Sequence, residues 1–402
     1  MRGKSSGGRR RRIAHIFVGF IVLAIIGGLT INYLRPLPIL HATVTTLPNL
    51  STEPVSIAWS GVGQAAIGAS NFGVLAAQNA STPLATASIA KVITVLCVLQ
   101  KYPLNTGQDG PTITMTSKDV QIYNDYVAKN GSVVPIQVGE QLSEYQILQA
   151  LLLPSANNLA DSVAVWAFGS LSGYATYANT FLSSNGLSMT HVGNDASGYD
   201  PSTTSTASDL VKLGLLAVKN AVVTEIASQK STSLPIAGVV RNYNFVLGQK
   251  GINGLKTGNN DQDPGAFLFS AVVPVGTTTM TVIGAVMGQS NLAAALSTSL
   301  PLIDSLQAGF KQEHIIERGQ IVAKYHAAWG ATVDVVADNS LLVPRWKATA
   351  GTVKQKVNDI SSSVTGTVGT VDVMVAGNDT NSTLSIKHAI TPPSFWWRIT
   401  RH

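Results

Sequence analysis

The sequence predicts an α+β fold: one antiparallel sheet flanked by helices, with a helical insertion between its strands. A membrane-spanning helix precedes it and a small all-β domain follows. Three observations carry this reading. An apolar run from Ile13 to Leu34, free of Asp, Glu, Lys and Arg, follows a cluster of arginines. Strand-like runs stand on both sides of residues 143–220, where apolar positions recur at helical spacing. Beyond residue 312 the pattern changes to short strands at turn-bounded intervals.

Composition sets the limits. Of 402 residues 45% are apolar and 12% charged, enough for a large core and two domains. The net charge is +6, but six of the 27 basic residues lie within the first twelve positions. The remaining 21 balance the 21 acidic residues, so the body is neutral and a nucleic-acid-binding surface is not expected. A single cysteine, Cys97, excludes an intrachain disulfide and a thiolate metal cluster. The seven histidines are scattered without metal-ligand spacing, so neither a metal nor another cofactor is expected.

The elements follow in order. Ile13–Leu34 spans a bilayer by length, since about 20 residues are needed, and the arginines before it hold the N-terminus in the cytoplasm. A cleaved signal peptide has a shorter apolar core, and Leu40-His41-Ala42 is a poor cleavage site. Pro36, Pro38, Pro48 and Pro54 make the next stretch a stiff polar spacer. Val55–Trp59, Gln64–Ala69 and Phe72–Ala77 read as strands, with a turn at Ser70-Asn71. A buried helix starts near Ser88 and stays apolar nearly all round through Leu99. Residues 101–143 read as irregular, with a hairpin-like alternation near Ser132–Val138. Helices are expected at Glu144–Leu153, Asn157–Phe168, Tyr174–Ser184 and Ser205–Lys219, with Pro154 and Asn185-Gly186 as stops. Strands return at Gly254–Gly258, Ala266–Val275 and Thr277–Met287, and Leu292–Phe310 closes the body as a helix. Thr332–Val336, Ser340–Val343 and Gly366–Val375 read as strands of the small β domain. The C-terminal stretch from Pro392 to His402 sets Phe395, Trp396 and Trp397 beside Arg398 and Arg401, as an interfacial membrane contact or as a strand end on the β domain.

Three short motifs carry chemistry. Ser88 and Lys91 stand three apart on one helical face. A serine hydroxyl needs an adjacent base, and a desolvated lysine, its pKa lowered, can be that base. Taken alone, the pair reads as a capping serine and a lysine reaching for water. Pro154-Ser155-Ala156-Asn157 joins two apolar helices, a place from which a hydroxyl and a carboxamide can be aimed into a cleft. Leu255-Lys256-Thr257-Gly258 lies on a strand. There Lys256 and Thr257 can bind a carboxylate, Lys256 can help to keep Lys91 neutral, and Gly258 lets a peptide lie against the strand edge.

The order Ser-x-x-Lys, Ser-x-Asn, Lys-Thr-Gly, on helix start, inter-helix loop and strand, is the motif set of penicillin-binding proteins and class A β-lactamases. Over residues 50–312 the chain resembles the D-alanyl-D-alanine carboxypeptidase family, the low-molecular-mass penicillin-binding serine peptidases. Met189-Thr190-His191, Gly198, Ser205–Leu210 and Arg241-Asn242-Tyr243-Asn244 extend the likeness. The resemblance implies a β-lactamase/transpeptidase-like fold and a D-Ala-D-Ala carboxypeptidase that acts on peptidoglycan stem peptides and is acylated by β-lactams. It implies Ser88 as nucleophile, Lys91 as base, Ser155 as proton relay and Asn157 as support for Lys91 and the substrate amide. Lys256, Thr257 and Gly258 would bind the terminal carboxylate and the peptide, and the backbone N–H groups of Ser88 and Asn259 would form the oxyanion hole. Two positions depart from the common pattern: Ala156 where many relatives have Gly, and Asn259 where many have His. The expected division is then residues 1–12 as a cytoplasmic basic tail, 13–34 as anchor and 35–52 as linker. Residues 53–312 follow as the catalytic domain, 313–390 as the β domain and 391–402 as a Trp/Arg tail.

Other readings share the machinery. A class A β-lactamase needs a Glu on a loop to activate its deacylating water, and between Asn157 and Lys256 the only Glu is Glu225, inside an apolar helical run. A peptidoglycan endopeptidase or transpeptidase would use the same groups. An inactive membrane-anchored wall-binding protein would not require all seven motif residues.

Overall fold

The computed structural model describes residues 7–259 and 264–401. Arg2 and Lys4 of the basic run and His402 of the tail lie outside the described residues. Two compact units divide the chain: Thr52–Gln312 with Pro344–Ala348, and the remainder.

The larger unit is built on a five-stranded antiparallel sheet. Its order is Ile252–Gly258, Gly265–Val275, Thr278–Gln289, Gln64–Ala69, Gly73–Gln78. The period of two puts alternate residues on opposite faces. Phe267, Phe269, Val282 and Val286 join Leu296, Leu302 and Leu306 of the helix Leu292–Gly309 on one face. Leu268, Ile283 and Ala285 join the helical layer on the other, with Leu210 and Val211 of the helix Ala207–Ala217. The helix Ala90–Lys101 runs through the centre of that layer, and its residues from Ala90 to Leu99 are all buried. It packs against Asn157–Phe168, Leu171–Ser184 and Glu144–Leu152.

Three expectations differ from what is observed. Ser117–Ala128, in the stretch read as irregular, is a helix opened by a capping box between Thr116 and Asp119. Its weak apolar stripe hid it; the Thr-x-x-Asp spacing was the available signal. Ser132–Val138 forms no hairpin. Val134 instead donates to Oδ1 of Asn158 (3.1 Å) and accepts from its Nδ2 (3.0 Å), so a side-chain amide takes the place of a partner strand. Val55–Trp59 alternates in burial without joining a sheet. Val55, Ile57 and Trp59 turn onto the core beside Leu292–Gly309, and the Ala58 N–H donates to the Ser305 hydroxyl.

The other unit holds a six-stranded antiparallel sheet ordered Ala42–Val44, Ile321–His326, Thr332–Ala337, Asn378–Ile386, Gly366–Val375, Gly351–Val357. Its first strand comes from the Pro-rich stretch after the apolar helix. That helix, Gly7–Leu34, is long and apolar enough over Arg9–Leu34 to cross a membrane, by length and composition. The Trp/Arg tail is not a strand end. Phe395–Thr400 is a helix capped by Ser394, and it packs on the apolar helix. Asn32 Nδ2 donates to the Ile399 and Arg401 carbonyls (3.2 and 3.1 Å), and Arg401 returns a bond to the Asn32 carbonyl (2.8 Å). The Tyr33 and Phe395 rings lie 5.7 Å apart.

Among the buried polar groups of the described residues, Glu144 leaves both of its side-chain oxygens unsatisfied. It stands buried at the start of its helix. Burial raises its pKa from 4.5 to about 7. A raised carboxyl pKa opposes folding once the pH passes the unfolded value, and the cost grows as the pH rises toward 7. Glu144→Met should therefore stabilise the protein by on the order of 1–3 kcal/mol at pH 8 and by much less at pH 5. Thermal melts of both forms at the two pH values measure this; an equal gain at both would show that ionisation is not the cause.

Candidate active site

Ser88 sits in one 3-10 turn, Ala87–Ile89, that runs straight into the helix Ala90–Lys101. Ala87 has φ +44°, in the left-handed region that side chains avoid. Strain of this kind persists where surrounding packing holds it. Ser155, between the helices Glu144–Leu152 and Asn157–Phe168, has φ +65°. The loop is pinned on both sides: the Ala156 N–H donates to Ala150 O (2.9 Å) and the Asn157 N–H to Ser132 O (2.8 Å).

The first two motifs converge on one side chain. Lys91 has no exposed surface. Its Nζ donates to Ser88 Oγ (2.8 Å), to Asn157 Oδ1 (2.7 Å) and to the Ser197 carbonyl (2.9 Å). Ser88 is half-buried, whereas Ser155 and Asn157 are 4% and 3% exposed. Ser197 is the partner that sequence reasoning missed. It contributes a main-chain oxygen, which no residue type announces; only the Asp-x-Ser-Gly turn composition at Asp195–Gly198 hints at it. The segment Met189–His191 is tied to the start of Ala207–Ala217, with the Met189 N–H and Thr190 hydroxyl donating to Asp209 at 2.8 and 3.2 Å.

The third motif lies on Ile252–Gly258, the edge strand of the sheet. Lys256 and Thr257 are 1% and 5% exposed, and Lys256 Nζ donates to the Thr257 carbonyl at 3.0 Å. A Cβ on Gly258 would lie 3.0 Å from the Thr86 carbonyl and 3.2 Å from Ile89 Cγ1. The missing side chain therefore makes room for the protein's own Ala87–Ile89 turn, rather than for an open strand edge. Asn259 follows at an exposed position.

Burial governs the charges. It lowers the Lys91 pKa from 10.5 to about 7, with Asp195 and Asp161 pulling it back upward. Lys256 is pushed well below its usual range, by burial first and by the Lys91 charge second. Desolvation, rather than repulsion from Lys256, is thus the leading reason for a neutral Lys91. Cys97, buried on the same helix, has its thiol pKa raised by burial. Among the described residues no group of three or more His, Cys, Asp or Glu could hold a metal.

A serine hydroxyl held to a buried amine, beside a second lysine on a sheet edge, has the groups that an acyl-transfer reaction needs. Residues 65–291 match the sequence model of the D-alanyl-D-alanine carboxypeptidases, and the chain belongs to this family. It is similar to the D-alanyl-D-alanine carboxypeptidase DacA of Escherichia coli (strain K12), 25% identical over 283 residues that make up 68% of each chain. Its fold is similar to that of penicillin binding protein 5 from Haemophilus influenzae, with a TM-score of 0.57 at 17% identity over 85% of this chain and 100% of that one. The PBP3 of Streptococcus pneumoniae aligns with a TM-score of 0.60 at 19% identity, over 83% and 99% of the two chains. The Streptomyces K15 DD-transpeptidase aligns with a TM-score of 0.54 at 23% identity, over 65% and 98%.

Gly258→Ala should test the packing of strand against turn. Its methyl group would press on the Thr86 carbonyl and on the Ile89 and Ala87 side chains. The expected result is a fall of at least about tenfold in the rate of acylation by a fluorescent penicillin, since a 1 Å misplacement can cost about 10²-fold. An unchanged rate would show that the turn yields freely.

Proposed function

We propose that the protein is a membrane-anchored serine carboxypeptidase that removes the terminal D-Ala from peptidoglycan stem peptides and is acylated by β-lactams. The observation that carries this is the 2.8 Å contact between Ser88 Oγ and the fully buried amine of Lys91.

In this reading neutral Lys91 accepts the Ser88 proton while Oγ attacks the carbonyl of the D-Ala–D-Ala bond. Asn157 holds the amine from the side. The backbone N–H groups of Ser88 and Asn259 receive the charge that develops on the carbonyl oxygen; losing one such donor costs about 10²–10³ in rate. The C–N bond breaks as Ser155 relays the proton taken up by Lys91 to the departing D-Ala amine, and an ester remains on Ser88. Water then cleaves the ester, releasing the shortened stem and restoring the hydroxyl. Lys256 and Thr257 bind the terminal carboxylate of the substrate. A β-lactam enters by the same attack on its ring amide, and its leaving group stays tethered.

The same proposal places residues 13–34 across the membrane, with residues 1–12 in the cytoplasm and the body outside the cell. A run of 26 residues, Arg9–Leu34, supports the span, and the arginines at its start support the orientation. Residues 35–52 connect the anchor to a catalytic domain at 53–312 and lend the strand Ala42–Val44 to the β domain at 313–390, which the tail at 391–402 follows.

Two measurements test the chemistry. Membranes carrying the wild-type chain should label with fluorescent penicillin and release free D-Ala from a pentapeptide stem, and Ser88→Ala should do neither. Equal labelling of the two forms would remove Ser88 as nucleophile, and cleavage of cross-linked dimers without free D-Ala would make the protein an endopeptidase. The rate of acylation should also climb with pH through about 7, where Lys91 loses its proton. A profile flat between about pH 5 and 9 would speak against a lysine base.

A further inference from the structure

Behind the reacting groups lies a buried acidic cluster that the chemistry above does not use. Asp161 stands four residues after Asn157 on the same helix, so the two share a face. Asp161 is 5% exposed and Asp195 7%. One oxygen of Asp161 accepts from the Ala196 N–H (2.9 Å), and the other accepts from the Tyr126 hydroxyl (2.8 Å). That hydroxyl lies 3.3 Å from Ser197 Oγ. Asp195 closes its own turn, accepting from the N–H groups of Ser197 (2.9 Å), Gly198 (2.6 Å) and Asp200 (2.6 Å).

These bonds form a closed circuit through Lys91. One helix supplies Asn157 to the amine and, one turn on, Asp161 to the Ala196 N–H. The next residue of that turn, Ser197, returns its carbonyl to the amine. Gly198 completes the contact, since a Cβ there would lie 2.1 Å from the Ala87 carbonyl. Asp161 thus ties the Asp195–Gly198 turn to the helix that carries Asn157. Burial first and Asp195 second raise its carboxyl pKa from 3.8 to about 7, so its negative charge develops near the Lys91 ammonium over the same pH range in which that amine titrates. An open cavity of about 500 Å³ on the far side is lined by Tyr126, Asp161, Asp195, Tyr199 and Asp200, giving the cluster access to solvent.

We propose that Asp161 is a positioning residue of the reaction. It holds the Asp195–Gly198 turn against Lys91 and, with Asp195, sets the pH at which the amine can take the Ser88 proton. This rests on the reading of Lys91 as base. The groups facing the amine are Ser88 from its own turn, Asn157 and Asp161 from one helix, and Asp195 and the Ser197 carbonyl from the turn. Lys256 on the edge strand and the neutral phenol of Tyr126 on Ser117–Ala128 complete the set. The acids favour the protonated amine, and burial and Lys256 disfavour it. Removing the Asp161 charge therefore moves deprotonation of Lys91 to lower pH.

The test is the second-order rate of acylation by a fluorescent penicillin between about pH 5 and 10, on the full chain in membranes. For Asp161→Asn, which keeps shape and hydrogen-bonding capacity, the acidic limb should move down by about one pH unit. For Asp161→Glu, which keeps the charge, it should stay near the wild-type position. A purely structural role would instead lower the plateau and leave the limb in place. If Asp161→Asn fails to fold, Tyr126→Phe serves, because loss of the phenol donor makes the Asp161 carboxylate less acidic and shifts the limb the same way. A limb that stays put in the folded variants overturns this proposal alone. A wild-type profile with no acidic limb removes the lysine base and this proposal with it.

Discussion

A lysine amine taken wholly out of water is the constraint on which the larger unit depends. Such a group is costly to bury unless acceptors meet it. Three do: the Ser88 hydroxyl, the Asn157 carboxamide and the Ser197 carbonyl. They come from a helix start, an inter-helix loop and a turn more than a hundred residues along the chain. For all three to reach one nitrogen, their backbones must approach closely. The left-handed φ values at Ala87 and Ser155, and the glycines at 198 and 258 with no space for a side chain, are the local consequences.

The sheet and the central helix act as the mount. Strand alternation fills both faces with apolar side chains, so the sheet is fixed between two helical layers. Its edge strand brings Lys256 and Thr257 beside the Ala87–Ile89 turn. The helix Ala90–Lys101, buried through nearly its whole length, cannot turn Lys91 toward water without breaking that core. Rigidity and a lowered pKa therefore have one origin, burial, and the acids behind the amine keep the shift within the neutral range.

The second unit follows another logic. Its sheet takes an edge strand from the chain just after the apolar helix, and the C-terminal helix grips the end of that helix through Asn32 and Arg401. Hydrogen bonds and the tilted contact between the Tyr33 and Phe395 rings thereby fasten the C-terminal helix to the apolar one. Trp396, 71% exposed, remains on the outside of this clasp.

Elements with strong periodicity were legible in the sequence. Gln64–Ala69, Asn157–Phe168 and Gly366–Val375 lie where the sequence puts them, because apolar runs bounded by turn and cap residues are buried in the core as units. The helix Ser117–Ala128 was not legible, since it buries little, and Val55–Trp59 showed a strand's alternation without a partner to pair with. At the site the division is the same. The motif side chains Ser88, Lys91, Ser155, Asn157, Lys256 and Thr257 could be named from residue type and spacing alone. Their convergence, the Ser197 carbonyl, and the placement of Asp161, Asp195 and Tyr126 around the amine came only with the tertiary structure. A residue's chemistry is local to it, whereas a main-chain acceptor and the field at a buried nitrogen are set by groups brought together across the whole fold.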